Sequence, residues 1–194
     1  MDRLAANDYF REAMTILANS GPEALTISAL CDSFMVTKGS FYHHFDGMPG
    51  FVTRLLAFWE TEHSERLIRL SADEPDPVRR VPLLTEIAVS LPHDTEAAFR
   101  AWARSNPEVG VVQRRVDARR QKHLVQAFRA LGHDRPQAQL LAQMAMAVLV
   151  GVQQLQHPVE RLVLRQMLER LNELVLSGLP DEAVQALASS RSAS

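Results

Sequence analysis

Hydrophobic residues recur at helical spacing along most of the chain, and no segment alternates with a period of two. Phe10, Ala13, Met14 and Leu17 mark one face of a first helix. Val52, Leu55, Leu56, Trp59, Leu67 and Leu70 form a stripe over 48–70, and Val109, Val112, Val116, Leu124, Ala127 and Leu131 another over 107–131. From Leu140 to Val152 the pattern is apolar almost all round, which predicts burial on more than one side. Leu162, Val163, Met167, Leu171, Leu174 and Val175 line 158–176, with the charged residues mostly elsewhere. Prolines such as Pro22, Pro77, Pro107 and Pro136 punctuate these segments and read as first-turn residues, with Pro82 in or near the first turn of the segment begun by Pro77. Gly21, Gly132 and Gly178 stand at plausible helix ends. The pattern predicts an all-α fold of about nine helices.

Residues 24–46 carry the most specific chemistry. Thr26 is placed to cap a short helix whose apolar face is Ile27, Leu30 and Cys31. Phe34, Met35 and Val36 make a brief turn, and Thr37 then caps a second short helix over 38–44 with Phe41 and Phe45 inward. Two short helices joined by a three-residue turn are a helix-turn-helix. The outer face of the second helix presents Thr37, Lys38, Ser40, Tyr42, His43 and His44, groups suited to phosphate oxygens and base edges in a major groove. Gly39 lets the start of that helix approach a phosphate closely.

Composition narrows the possibilities. A chain of 194 residues, 46% of them hydrophobic, has ample material for a core. Its one cysteine, Cys31, excludes an internal disulfide and any multi-cysteine metal site. The stretch Leu140 to Val152 is shorter than a membrane span and contains Gln143, and Asp2, Asn7 and Asp8 do not suit a signal peptide. A soluble, cytoplasmic protein is expected, with no membrane partner. The formal charge of −2 gives no bulk signal for nucleic acid, and residues 1–50 hold Arg3, Arg11 and Lys38 against Asp2, Asp8, Glu12, Glu23, Asp32 and Asp46.

Residues 8–60 resemble the DNA-binding region of the TetR family of transcriptional regulators. The resemblance rests on Leu25-Thr26-Ile27 and on Val36-Thr37-Lys38-Gly39-Ser40-Phe41-Tyr42-His43-His44-Phe45. It implies a three-helix DNA-binding domain over 1–46, an effector-binding and dimerisation domain over 47–178, and a short or frayed tail over 179–194. It implies DNA contacts from Thr26, Thr37, Lys38, Gly39, Ser40, Tyr42, His43 and His44. It further implies a homodimer built on the last two long helices, with Leu140, Met144, Val148, Leu162, Leu171 and Leu174 at the interface. The expected partners are therefore operator DNA, a second copy of the chain and a small-molecule effector. Family members often place Gly in the turn where Met35 stands, and Lys at the start of the fourth helix where this chain has Asp46-Gly47-Met48-Pro49.

The same resemblance puts an effector pocket among the middle helices, which makes Trp59, His63, Phe99, Trp102, Arg120, His123 and Met144 candidates. His63 and Arg120 also interrupt apolar stripes, as polar points in an apolar site would. No cofactor or metal is expected. His43 and His44 diverge by about 100° on a helix, and the Glu60-x-x-His63 element lacks the second copy a di-iron bundle needs. The run Arg114, Arg115, Arg119, Arg120 and Lys122 reads as a solvated face. No catalytic constellation appears, so a regulator and not an enzyme is expected. The alternative is a helical-bundle enzyme or small-molecule carrier with a degenerate helix-turn-helix.

Overall fold

The computed structural model describes residues 4–179. Ten α-helices follow in chain order: α1 (Ala6–Ser20), α2 (Ile27–Ser33), α3 (Lys38–His44), α4 (Gly47–Glu60), α5 (Arg66–Ala72), α6 (Pro77–Ser90), α7 (His93–Ala103), α8 (Pro107–Ala130), α9 (Arg135–Leu155) and α10 (Arg161–Ser177). There is no strand among the described residues. The stripe over 48–70 is divided into α4 and α5, with a π-helical turn, Thr61–Glu65, between them in sequence. The expected tail over 179–194 lies, after Leu179, outside the described residues, as does the His63 side chain.

Local chemistry sets the helix ends. The Thr26 hydroxyl accepts from the Ala29 amide at 3.1 Å, and Asp134 and Asp76 carboxylates accept from the Gln137 and Val78 amides at 2.8 and 2.9 Å. Gly21 ends α1 with φ 76°, a left-handed conformation that side chains disfavour. Two sequence expectations change. Thr37 stands at the N-cap position of α3, but its side chain makes no capping hydrogen bond. Pro82 sits inside α6, in its second turn, where it withholds one backbone donor from the helix.

Contacts gather the chain into two compact units, Met1–Glu65 with Pro92–Val116, and Arg66–Leu91 with Asp117–Ser194. Packing therefore does not divide at residue 46. Three short helices offer too little apolar surface to close a core alone. In the first unit α4, α7 and the start of α8 complete it, with Tyr9, Phe10, Phe41, Phe45, Phe51, Trp59, Phe99 and Val109 all buried. The second unit is centred on Val81, Phe128, Leu131, Leu141, Leu164, Leu168, Leu171 and Val175.

Within that second unit α9 and α10 are apolar on more than the face they bury. Ala138, Leu141, Ala142, Leu149 and Val152 are buried, whereas Leu140 is 53% exposed, Met144 37% and Leu155 87%. On α10, Leu162 is 66% exposed and Leu174 53%. By length and a mean hydropathy of 1.4, α9 alone would pass for a membrane span, which the shorter stretch read from the sequence would not.

Candidate nucleic-acid interface and effector cavity

The turn between α2 and α3 is tight. Met35 adopts φ 53° and is 93% exposed, while the amides of Met35 and Val36 donate to the carbonyls of Asp32 and Cys31. The Cys31 thiol donates to the Thr37 carbonyl at 3.7 Å. Burial first, then the charge of Asp32, pushes that thiol's pKa up against the pull of Lys38, so it stays protonated.

α3 is held from two sides. Phe41 and Phe45, four residues apart, are both buried, and the Tyr9 ring of α1 meets them edge-on at 5.9 and 5.6 Å. The Tyr9 hydroxyl shares a 2.9 Å hydrogen bond with the Ser40 hydroxyl. From α4, the Arg54 guanidinium donates to the His44 carbonyl at 2.7 Å and lies 4.9 Å above the Phe45 ring. Arg54 thus closes the C-terminal end of α3, where carbonyls lack helical partners. The inner face and the end are fixed, and the outer face is left open.

The predicted DNA-contact residues divide accordingly. Thr37, Lys38, Gly39, Tyr42 and His43 are exposed, with Tyr42 at 57%. Ser40 and His44 are half-buried, Ser40 bonded to Tyr9 and His44 with its ring 5.8 Å from that of Tyr9. Thr26 is exposed and already serves as the cap of α2. A Cβ on Gly39 would meet only the Thr37 hydroxyl oxygen at 3.5 Å, an ordinary contact. Nothing in this chain demands glycine there. Sequence reasoning overlooked Tyr9 and Arg54, because both work from neighbouring helices and neither falls in the α3 pattern.

Comparison with known proteins agrees with this geometry. Residues 10–55 match the family described as bacterial regulatory proteins, tetR family. Residues 10–55 carry the TetR family's N-terminal domain. The chain is similar in fold to a transcriptional regulator from Rhodococcus sp. Rha1, with TM-score 0.72 and 17% identity over 90% of this chain and 97% of that one. A chain assigned as a transcriptional regulator of Pseudomonas aeruginosa PAO1 gives TM-score 0.70 and 21% identity over 91% and 94%. The fatty acid degradation regulator FadR from Bacillus halodurans gives 0.62 and 16% over 90% and 95%. No curated protein matches by sequence.

The predicted effector residues fall in both units. In the first, Trp59 is fully buried and stacks on Phe99 at 4.4 Å, and Trp102 packs 6.1 Å from Phe99. The Trp59 indole Nε1 is buried without a hydrogen-bond partner. Glu60 forms a bidentate pair with Arg115 at 2.6 and 2.5 Å. In the second unit His123 is half-buried and shares a 2.6 Å hydrogen bond with the buried Ser71 hydroxyl, while Arg120 is half-buried and Met144 exposed. That unit also holds a cavity of about 60 Å³ between α6, α8, α9 and α10. Its lining includes Val81, Thr85, Phe128, Leu149 and Asn172 and none of the residues predicted for the pocket. The apolar stripes that His63 and Arg120 interrupt locate core faces, and cannot say where a core is incompletely filled.

Proposed function

We propose that this TetR-type regulator acts as a cytoplasmic homodimer that reads a two-fold operator with α3 and releases it on binding a small, mostly apolar effector, and so represses. The observation that carries the DNA-reading part is the clamped α3 with an open polar face. Lys38 supplies the fixed cation for a phosphate, and Tyr42 and His43 offer hydrogen-bonding groups to base edges. The open Cβ position of Gly39 allows close backbone approach. Few cations surround this face, so binding should show a shallow salt dependence.

Dimerisation is supported by the apolar residues that α9 and α10 leave exposed, Leu140, Met144, Leu162 and Leu174. A two-fold pair would present two α3 helices to half-sites about 34–36 Å apart. Release has a path within the first unit. Asp46 is the single residue between Phe45 and α4, and Arg54 of α4 grips the end of α3. A shift of α4 therefore moves the reading helix with it. An effector needs a preference of roughly 1–3 kcal/mol for the released state to change affinity measurably.

The test is fluorescence anisotropy with the DNA upstream of the chain's own gene, at several salt concentrations. Saturable binding that a short competitor of unrelated sequence does not displace supports the reading. Equal affinity for both DNAs overturns it.

A further inference from the structure

We infer that the cavity of the second unit binds a small, uncharged and mostly apolar molecule with one hydroxyl or carbonyl oxygen, a site that rests on the effector response proposed above. The walls come from Val81, Leu84, Phe128, Leu149 and Leu168, and the polar side chains among the lining residues are Thr85 and Asn172. Asn172 Nδ2 donates to Thr85 Oγ1 at 2.9 Å, and Thr85 is buried. An amide has two donor hydrogens and a carbonyl, and a hydroxyl one donor. That single bond leaves the Asn172 carbonyl, its second N–H and the Thr85 O–H to meet one oxygen-bearing group.

Charge decides the class. No Lys, Arg, His, Asp or Glu lines the cavity. A carboxylate or ammonium would enter without a counter-charge and lose its hydration, whereas an alcohol or ketone would keep its hydrogen bonds. Size decides the rest. An apolar cavity of about 150 Å³ accommodates benzene, so about 60 Å³ takes the hydroxyl end of a short aliphatic alcohol, and flexible lining side chains such as Met146 yield to the rest of its chain. The site is also placed to report occupancy. The Thr85–Asn172 bond ties α6 to α10, beside ties from Arg161 to the Leu91 carbonyl at 3.3 Å and from Arg165 to Glu86. A ligand that draws on the Asn172 amide competes with one of these ties, and α10 carries Leu174 of the proposed dimer face.

The experiment titrates the full chain with butan-1-ol, butanoate and butylamine, following the methyl resonances of Val81, Leu149 and Leu168 by NMR. Saturable shifts with butan-1-ol, at least tenfold tighter than with butanoate or butylammonium, are expected. Asn172→Leu and, as a milder second variant, Thr85→Val should each weaken butan-1-ol at least fivefold while the spectrum stays that of a folded chain. Equal binding of butanoate, or unchanged butan-1-ol affinity in a folded variant, overturns the assignment. Operator affinity is measured in the same titration. Methyl shifts without any change in operator affinity uphold the site and overturn the effector response alone.

Discussion

Met35 shows what one residue contributes when its side chain contributes little. Its left-handed φ of 53° closes the turn between α2 and α3, and its side chain is 93% exposed. Non-glycine residues pay on the order of 1 kcal/mol for that conformation, part of which glycine's greater freedom in the unfolded chain offsets. Met35→Gly should raise stability by about 0.5 kcal/mol in urea unfolding, and a loss of stability would refute the strain. His123 makes a second residue-scale case. Burial, then the nearby charge of Arg80, lowers its pKa below the ordinary 6.5. The folded chain therefore keeps the ring neutral at a pH where the unfolded chain takes up a proton. Stability from this group is complete above the unfolded value and falls as pH drops below about 6.5 toward the lowered folded value. His123→Gln, which can still bond Ser71, should flatten that part of the stability–pH curve. An unchanged slope would assign it to other histidines.

At the scale of elements, α3 is too short to be stable alone and takes its shape from its neighbours. Helices of seven residues carry little intrinsic stability, and here Tyr9 from α1 and Arg54 from α4 supply the missing restraint. Two variants separate reading from holding. Lys38→Ala should weaken binding to all DNA sequences alike and reduce the salt slope by about one charge. Arg54→Met removes a charge-assisted hydrogen bond worth about 1.5 kcal/mol or more and frays the end of α3. It should lower operator affinity and thermal stability together and leave the salt slope unchanged. If Arg54→Met changes the slope as Lys38→Ala does, Arg54 contacts phosphate instead of holding the helix.

At the scale of the molecule, the exposed apolar faces of α9 and α10 need cover, and a second copy is the proposed cover. Leu174, 53% exposed, and Leu171, 5% exposed, are one turn apart on α10 and test different things. The resemblance put both at the interface, but Leu171 is buried in the unit's own core. Leu174→Glu should leave a folded chain that runs as a monomer at micromolar concentration in light scattering, since an unpaired buried carboxylate costs several kcal/mol. Leu171→Glu should cost several kcal/mol of folding stability in each chain. A monomeric wild type removes the dimer from the proposal.

The apolar periodicity alone determined that the chain is helical, where its rods run and which helix would be apolar beyond one face. Helical propensity and burial act over neighbouring residues, so a linear pattern records them. Local spacing also determined the open face of α3, because Phe41 and Phe45 inward leave Lys38 and Tyr42 outward whatever packs behind. Only the tertiary structure decided which unit each rod joins, why Ser40 and His44 turn inward to Tyr9, and that Arg54 secures α3. Those contacts join residues 10 to 35 positions apart, and no local pattern encodes them. The cavity belongs to the same class. It exists where four helices fail to fill the space between them beside Thr85 and Asn172, and an unfilled volume leaves no mark on the order of residues.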